Sequence, residues 1–176
     1  MEVIGVLFYK ACLQENKETL PIYEQLGRTD FLIGNCPNSY AIPYSPEYFA
    51  KWLNKSQIFS IFIHDSIKQA LLNNNKFYQI FSISESLKLN IVDCQFKNVE
   101  LTDILEGEDF DVEILNYVLK NRNYRLLKAT FRTENNLIIS IKRNGVIEID
   151  KRVLEKDTEL IKNLVDILNL GCGVVL

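Results

Sequence analysis

The chain is short of the residues that usually carry chemistry. Its 176 residues include one histidine, one tryptophan and one methionine. With His64 the sole imidazole, no metal site that needs two or more histidines can form. The four cysteines stand at 12, 36, 94 and 172 with no CxxC pair among them. That excludes a locally encoded zinc knuckle and a thioredoxin-type dithiol. GxGxxG, GxxxxGK[ST], GxSxG and HExxH are all missing, so the dinucleotide fingerprint, the P-loop, the nucleophile elbow and the zincin helix are excluded with them. No strand carries the alternating aromatic and basic residues of an RNA-recognition motif. No apolar run approaches the ~20 residues that a membrane-spanning helix needs.

Excess positive charge is missing too. Lys and Arg number 20 against 23 Asp and Glu, for a net charge of −3. Nucleic-acid binding draws on a dense patch of cations that displaces counterions from phosphates, and this balance argues against it. Apolar residues make up 47% and charged residues 24%, ordinary values for a globular chain. The expectation is a single domain over 1–176 that buries its own core. Glu2 and the short apolar run Val3–Tyr9 do not make a secretory signal. Cys172 is the fifth residue from the end, so the prenylation box is not met. A cytoplasmic location and no membrane contact are expected.

The fold expected is α+β, a mainly antiparallel sheet with about four packed helices. Val3–Tyr9 reads as a strand buried on both faces. Pro21 opens a short helix that Gly27 closes, and Phe31–Gly34 is a short strand. Three of the four prolines lie between Cys36 and Pro46, which predicts a loop. Ser45 then caps a helix Pro46–Leu53 with Pro46 in its first turn, placing Tyr48, Phe49, Trp52 and Leu53 on one face. Apolar pairs four apart from Ile58 to Leu71 predict one helix over 57–72; a strand over 58–63 followed by a helix from Asp65 is the alternative. Phe77–Ser84 and Leu87–Val92 read as strands. Asp109 or Asp111 opens a helix to about Asn121 with Leu115, Val118 and Leu119 inward. Asp157 or Thr158 opens a C-terminal helix with Ile161, Leu164, Val165 and Leu168 inward, and Gly171 ends it. The apolar tail Gly173–Leu176 is expected to tuck against the fold.

The sharpest local expectation is a hairpin over 137–150. Tyr124–Arg132 is a strand, and Leu137–Lys142 and Val146–Asp150 flank Asn144-Gly145, a two-residue hairpin signal. A two-residue loop would mix isoleucine and charge on both faces. A three-residue loop, Arg143-Asn144-Gly145 with Gly145 left-handed, pairs Ile141 with Ile147 and Ile139 with Ile149. Burial sets register, so the longer loop is predicted.

Function is read from what remains. His64 shares a polar helix face with Ser60, Asp65 and Lys68, and is expected in solvent. Cys12, Cys36 and Cys94 are expected as small core residues. Asp103, Glu106, Glu108, Asp109, Asp111 and Glu113 form the densest charge feature. They lack the order of an EF-hand loop and suit a solvated helix start or an acidic docking surface. Arg122, Arg125, Lys128 and Arg132 are the one basic concentration. Tyr40, Tyr44, Tyr48 and Trp52 cluster at the proline-rich segment, where held aromatics make good recognition residues.

The leading expectation is a non-catalytic protein-binding module, an acidic inhibitor or immunity-type protein that neutralises a basic protein partner. Its binding residues would be Tyr40, Tyr44, Glu106, Glu108 and Asp109, with no catalytic residue, metal or cofactor. The alternatives are a small hydrolase whose 103–113 carboxylates hold a metal or act as acid and base, and a small-molecule sensor with a pocket lined by Tyr44, Tyr48 and Trp52. A closed, fully packed interior around Trp52 would count against the sensor. The acidic surface has its own test. Replacing Glu106, Glu108 and Asp109 by Ser should slow association with a basic partner and flatten its salt dependence in stopped-flow measurements; unchanged kinetics would remove those acids from the interface.

Overall fold

The computed structural model describes residues 5–100, 103, 111–121 and 123–171. The longest strand is β1 (Val6–Gln14). It runs on past the predicted end at Tyr9 because its polar residues are buried by specific partners instead of ending the strand. The Gln14 amide donates to Thr19 Oγ1 at 3.0 Å and Leu20 O at 3.1 Å, and its Oε1 accepts from Ile22 N at 3.0 Å. The Lys10 ammonium donates to the carbonyls of Ala70 and Asn144. The burial on both faces expected over Val3–Tyr9 fails at Val6 and Phe8, which are half exposed, and at Leu7, which is only partly buried. The stretch buried on both faces runs instead from Tyr9 to Cys12.

Around β1 the chain builds one eight-stranded antiparallel sheet. On one side β1 pairs with β3 (Ser39–Pro43), which pairs in turn with β2 (Leu32–Ile33). On the other side two strands share its edge end to end. β8 (Val146–Asp150) pairs with Val6–Lys10, and β4 (Ile67–Gln69) pairs with Cys12–Gln14. Beyond β8 follow β7 (Ile138–Lys142), β6 (Leu126–Thr133) and β5 (Leu89–Phe96).

Seven helices occur among the described residues, more than the four or so expected: α1 (Ile22–Gln25), α2 (Pro46–Leu53), α3 (Ser56–His64), α4 (Asn74–Ile83), α5 (Val112–Lys120), α6 (Lys151–Lys156) and α7 (Thr158–Leu170). The C-terminal helix α7 is the longest of them and none is long and apolar enough to cross a membrane. Alternation along the strands divides the core in two. Tyr9, Ala11, Ala41, Ile147 and Ile149 pack with Phe77, Phe81, Leu115, Val118 and Leu164 of α4, α5 and α7. Cys12, Tyr40 and Ile42 pack with Ile22, Phe49, Ile58 and Phe62 of α1 to α3.

Three regions depart from the sequence expectations. The proline-bearing stretch 36–46 is not all loop, because Tyr40-Ala41-Ile42 has an apolar group for each face and Pro43 falls at the strand's last position, where its missing N–H is tolerated. The single helix over 57–72 stops at His64. Ser66 turns with φ +50 and the chain returns as β4 to fill the edge of β1, so Ile63 and Leu71, expected inward, are 63% and 71% exposed. The strand-then-helix alternative is overturned as well, since the order is helix then strand. The strand expected over Phe77–Ser84 is instead the body of helix α4, which ends at Ile83. Asn73 accepts from Lys76 N at 2.9 Å as its cap, and Phe77, Ile80 and Phe81 form a stripe whose packing overrides the β preference of Phe and Ile.

The 137–150 hairpin has the predicted register, Ile139 opposite Ile149 and Ile141 opposite Ile147, with Gly145 at φ +78. All four isoleucines are 0–1% exposed. A one-residue slip would turn them outward at roughly 2 kcal/mol each, which decides the loop length. α5 is capped by Asp111, whose carboxylate accepts from Glu113 N at 2.9 Å, and its predicted inward residues are buried. The tail 173–176 lies outside the described residues.

The hairpin turn also closes the seam between β8 and β4. Ala11 donates its N–H to Gly145 O at 3.0 Å and accepts from Ala70 N at 2.9 Å. A Cβ on Gly145 would lie 2.2 Å from the Ala70 carbonyl oxygen, and its φ is left-handed. Gly145→Ala is therefore expected to destabilise the protein by at least about 2 kcal/mol in urea unfolding, and an unchanged midpoint would contradict the packing described here.

Candidate functional site

β3 leaves β1 at Tyr44. Its N–H donates to Phe8 O at 2.8 Å, and Ser45 and Pro46 then turn the chain into α2. Past that point β1 continues beside α2 without a strand between them. The gap is a cleft of about 550 Å³, within the ~300–1,000 Å³ range of small-molecule sites. One wall is the end of β1 with Val6 and Phe8; the other is α2 with Tyr48, Lys51 and Trp52 and, just past the helix, Lys55, and Arg28, Tyr44 and Phe49 complete it.

The α2 wall follows from helical spacing. Tyr48, Lys51 and Trp52 are i, i+3 and i+4 on α2, so one face presents two aromatics and a lysine, and Lys55, in the short link between α2 and α3, adds a second lysine to the lining. Trp52 is half-buried. Its ring packs edge-on against Phe62 with centroids 5.7 Å apart and lies 6.0 Å from Phe49, which lies 5.4 Å from Tyr44. The Arg28 guanidinium stands 5.8 Å from the Trp52 centroid and 5.4 Å from that of Phe31. Asp30 holds it through Nε at 2.9 Å and Nη2, and this hydrogen bonding keeps the Asp30 carboxyl below its usual range.

The predicted site residues meet different fates. Tyr44 lines the cleft. Tyr40 does not. It is fully buried beside Tyr23 and Phe31, because strand alternation points it into the second core. It cannot anchor a partner, and burial, with Cys12, Asp65 and Tyr23 nearby, pushes its phenol far up. Glu106, Glu108 and Asp109 lie outside the described residues. Asp103, Asp111 and Glu113 are exposed. Tyr48, expected on the inward face of α2, is 74% exposed at the cleft rim. The interior around Trp52 is open on one side, so the observation that would have removed the sensor reading is not met.

The candidate chemistries are dispersed. Cys12 is buried, and burial pushes its thiol up to about 12; burial likewise raises that of Cys94. His64 is exposed and its Nδ1 lies 2.9 Å from Asp65 Oδ1. Burial would raise the Asp65 carboxyl, but hydrogen bonds from His64, Gln25 and Thr19 outweigh it and hold it below its usual range. Lys128 of the basic concentration is taken up by Glu148 at 2.6 Å, which Lys142 also pairs. Among the described residues no three metal-ligating side chains come together.

Reasoning from sequence missed Val6, Phe8, Arg28, Lys51 and Lys55. Lys51 was readable from its helical spacing to Tyr48, while Lys55 lies past the helix end and was not. Val6 and Phe8 were not, because nothing local shows that the helical cover of β1 ends before them. No protein-family model, curated protein or solved structure matches the chain.

Tyr40 also carries a testable consequence. Its hydroxyl is buried without a hydrogen-bond partner, a state that costs roughly 1–3 kcal/mol. Tyr40→Phe is expected to leave thermal stability unchanged or raise it by about 1 kcal/mol; a loss of that size would show that the hydroxyl makes a bond the structure lacks.

Proposed function

We propose that the protein is a non-catalytic, cytoplasmic binding protein whose recognition site is the Tyr44–Trp52 cleft. The observation that carries this reading is that the one tryptophan is half-buried in the wall of an open, aromatic-lined cleft instead of being sealed in the core. Stiff aromatic side chains bury much area at small entropic cost. The described lining holds no carboxylate, histidine or thiol, which supports binding over catalysis. The small-molecule form of the reading is favoured over the acidic-inhibitor form. The latter relied on Tyr40, now in the core, and on acids outside the described residues.

The test uses an uncharged flat guest. N-phenyl-1-naphthylamine is expected to bind saturably at one site per chain, to alter Trp52 emission, and to be recovered unchanged. Tyr48→Ala, an exposed position with little to lose in folding, should weaken that binding several-fold, on the scale of about 1 kcal/mol per aromatic contact. Absence of saturable binding, or binding that Tyr48→Ala leaves intact, would reject the cleft as the site.

A further inference from the structure

Resting on that cleft reading, we infer that its natural guest is a small organic anion, a flat or branched apolar body that carries a carboxylate, sulfonate or phosphate. The argument is one of charge placement. The chain as a whole is acidic, yet the charged residues lining the cleft are Arg28, Lys51 and Lys55 and include no acid. Arg28 is neutralised by Asp30. Among the described residues no carboxylate stands within ion-pair distance of Lys51 or Lys55, and both are exposed.

Their position gives those charges a use. Lys51 on α2 and Lys55 in the link that follows it line the same cleft as Trp52, whose lining also includes Val6 and Phe8 of β1. A guest whose apolar part lies between the rings of Trp52 and Phe8 would bring an acidic group on its edge to the lysine pair. Ammonium groups beside low-dielectric aromatic walls act on an anion more strongly than the same groups in open water. Arg28, locked by Asp30 against Trp52, holds the aromatic wall without drawing the anion to itself. The cleft volume suits a guest of small-molecule size.

Two probes with one skeleton separate this inference from the reading beneath it. N-phenyl-1-naphthylamine and 8-anilinonaphthalene-1-sulfonate differ by the sulfonate, and Trp52, as the only tryptophan, reports on both from within the cleft. The full-length double variant Lys51→Gln/Lys55→Gln is expected to bind the sulfonate about tenfold more weakly while its affinity for the neutral probe stays within about twofold. Added salt should weaken sulfonate binding to the original protein more than to the variant. Lys17→Gln/Lys97→Gln makes the same change in net charge at exposed positions outside the cleft and should leave both affinities unchanged.

A double variant that binds the sulfonate as well as the original protein overturns the inference. So does an equal loss for both probes, because the lysines would then act through packing. If the neutral probe binds and the sulfonate does not, the inference fails and the cleft reading stands. If neither binds, both fail.

Discussion

Ala11 is where the architecture is tied together. Its N–H is taken by Gly145 of the β7–β8 turn and its C=O by Ala70 at the end of β4. One residue of β1 thus joins two strands that lie head to tail along the same edge. The Lys10 ammonium reinforces the seam by donating to the carbonyls of Ala70 and Asn144, and Leu72 N adds a bond to Arg143 O at 2.7 Å. The arrangement works only if the turn presents bare backbone to Ala70, which is why glycine stands at 145. The seam also sets the phase of β1, since a shift of one residue would exchange its two faces.

That phase has a functional consequence. Val6, Phe8, Lys10, Cys12 and Gln14 share one face by alternation. Cys12 and Gln14 are buried there, and the helical cover is gone by Phe8 and Val6. The cleft is the step where the cover stops and α2 rises beside the bare end of the strand. The aromatic row Tyr44, Phe49, Trp52 and Phe62 makes that wall stiff. At the far end of β3, α7 fixes the sheet edge through Asp166, which accepts from Asn35 N at 2.8 Å and Cys36 N at 3.2 Å, and through Asn169, which donates to Cys12 O at 2.8 Å. Gly34 is in contact with that same carboxylate, and a Cβ there would lie 2.0 Å from its oxygen.

Legibility from sequence followed the range of the deciding interaction. The hairpin register, the starts of α2 and α7, the Asp111 cap of α5 and the exposure of His64 depend on neighbours in sequence and could be read there. Ser45 and Asp157 nonetheless stand at their N-cap positions without a side-chain cap bond. The end of α3 depends on a vacant edge of β1 some fifty residues away, so periodicity alone carried the predicted helix too far. α4 was misread because Phe and Ile favour strands in general, although Asn73 and the spacing of Phe77, Ile80 and Phe81 marked a capped helix. The site was half legible. Aromatic clustering pointed to Tyr44, Tyr48 and Trp52, but only tertiary structure could place Tyr40 in the core and bring Val6 and Phe8 to face α2.

Amide chemical-shift mapping during titration with a naphthyl probe tests the central claim, that recognition takes place at the step between β1 and α2, most directly. The account expects the Trp52 indole N–H and the amides of residues 6–9 and 43–55 to move together and saturate at one guest per chain, with β5, β6 and α5 unmoved. Perturbations centred on α5 or β5, or scattered without saturation, would contradict it.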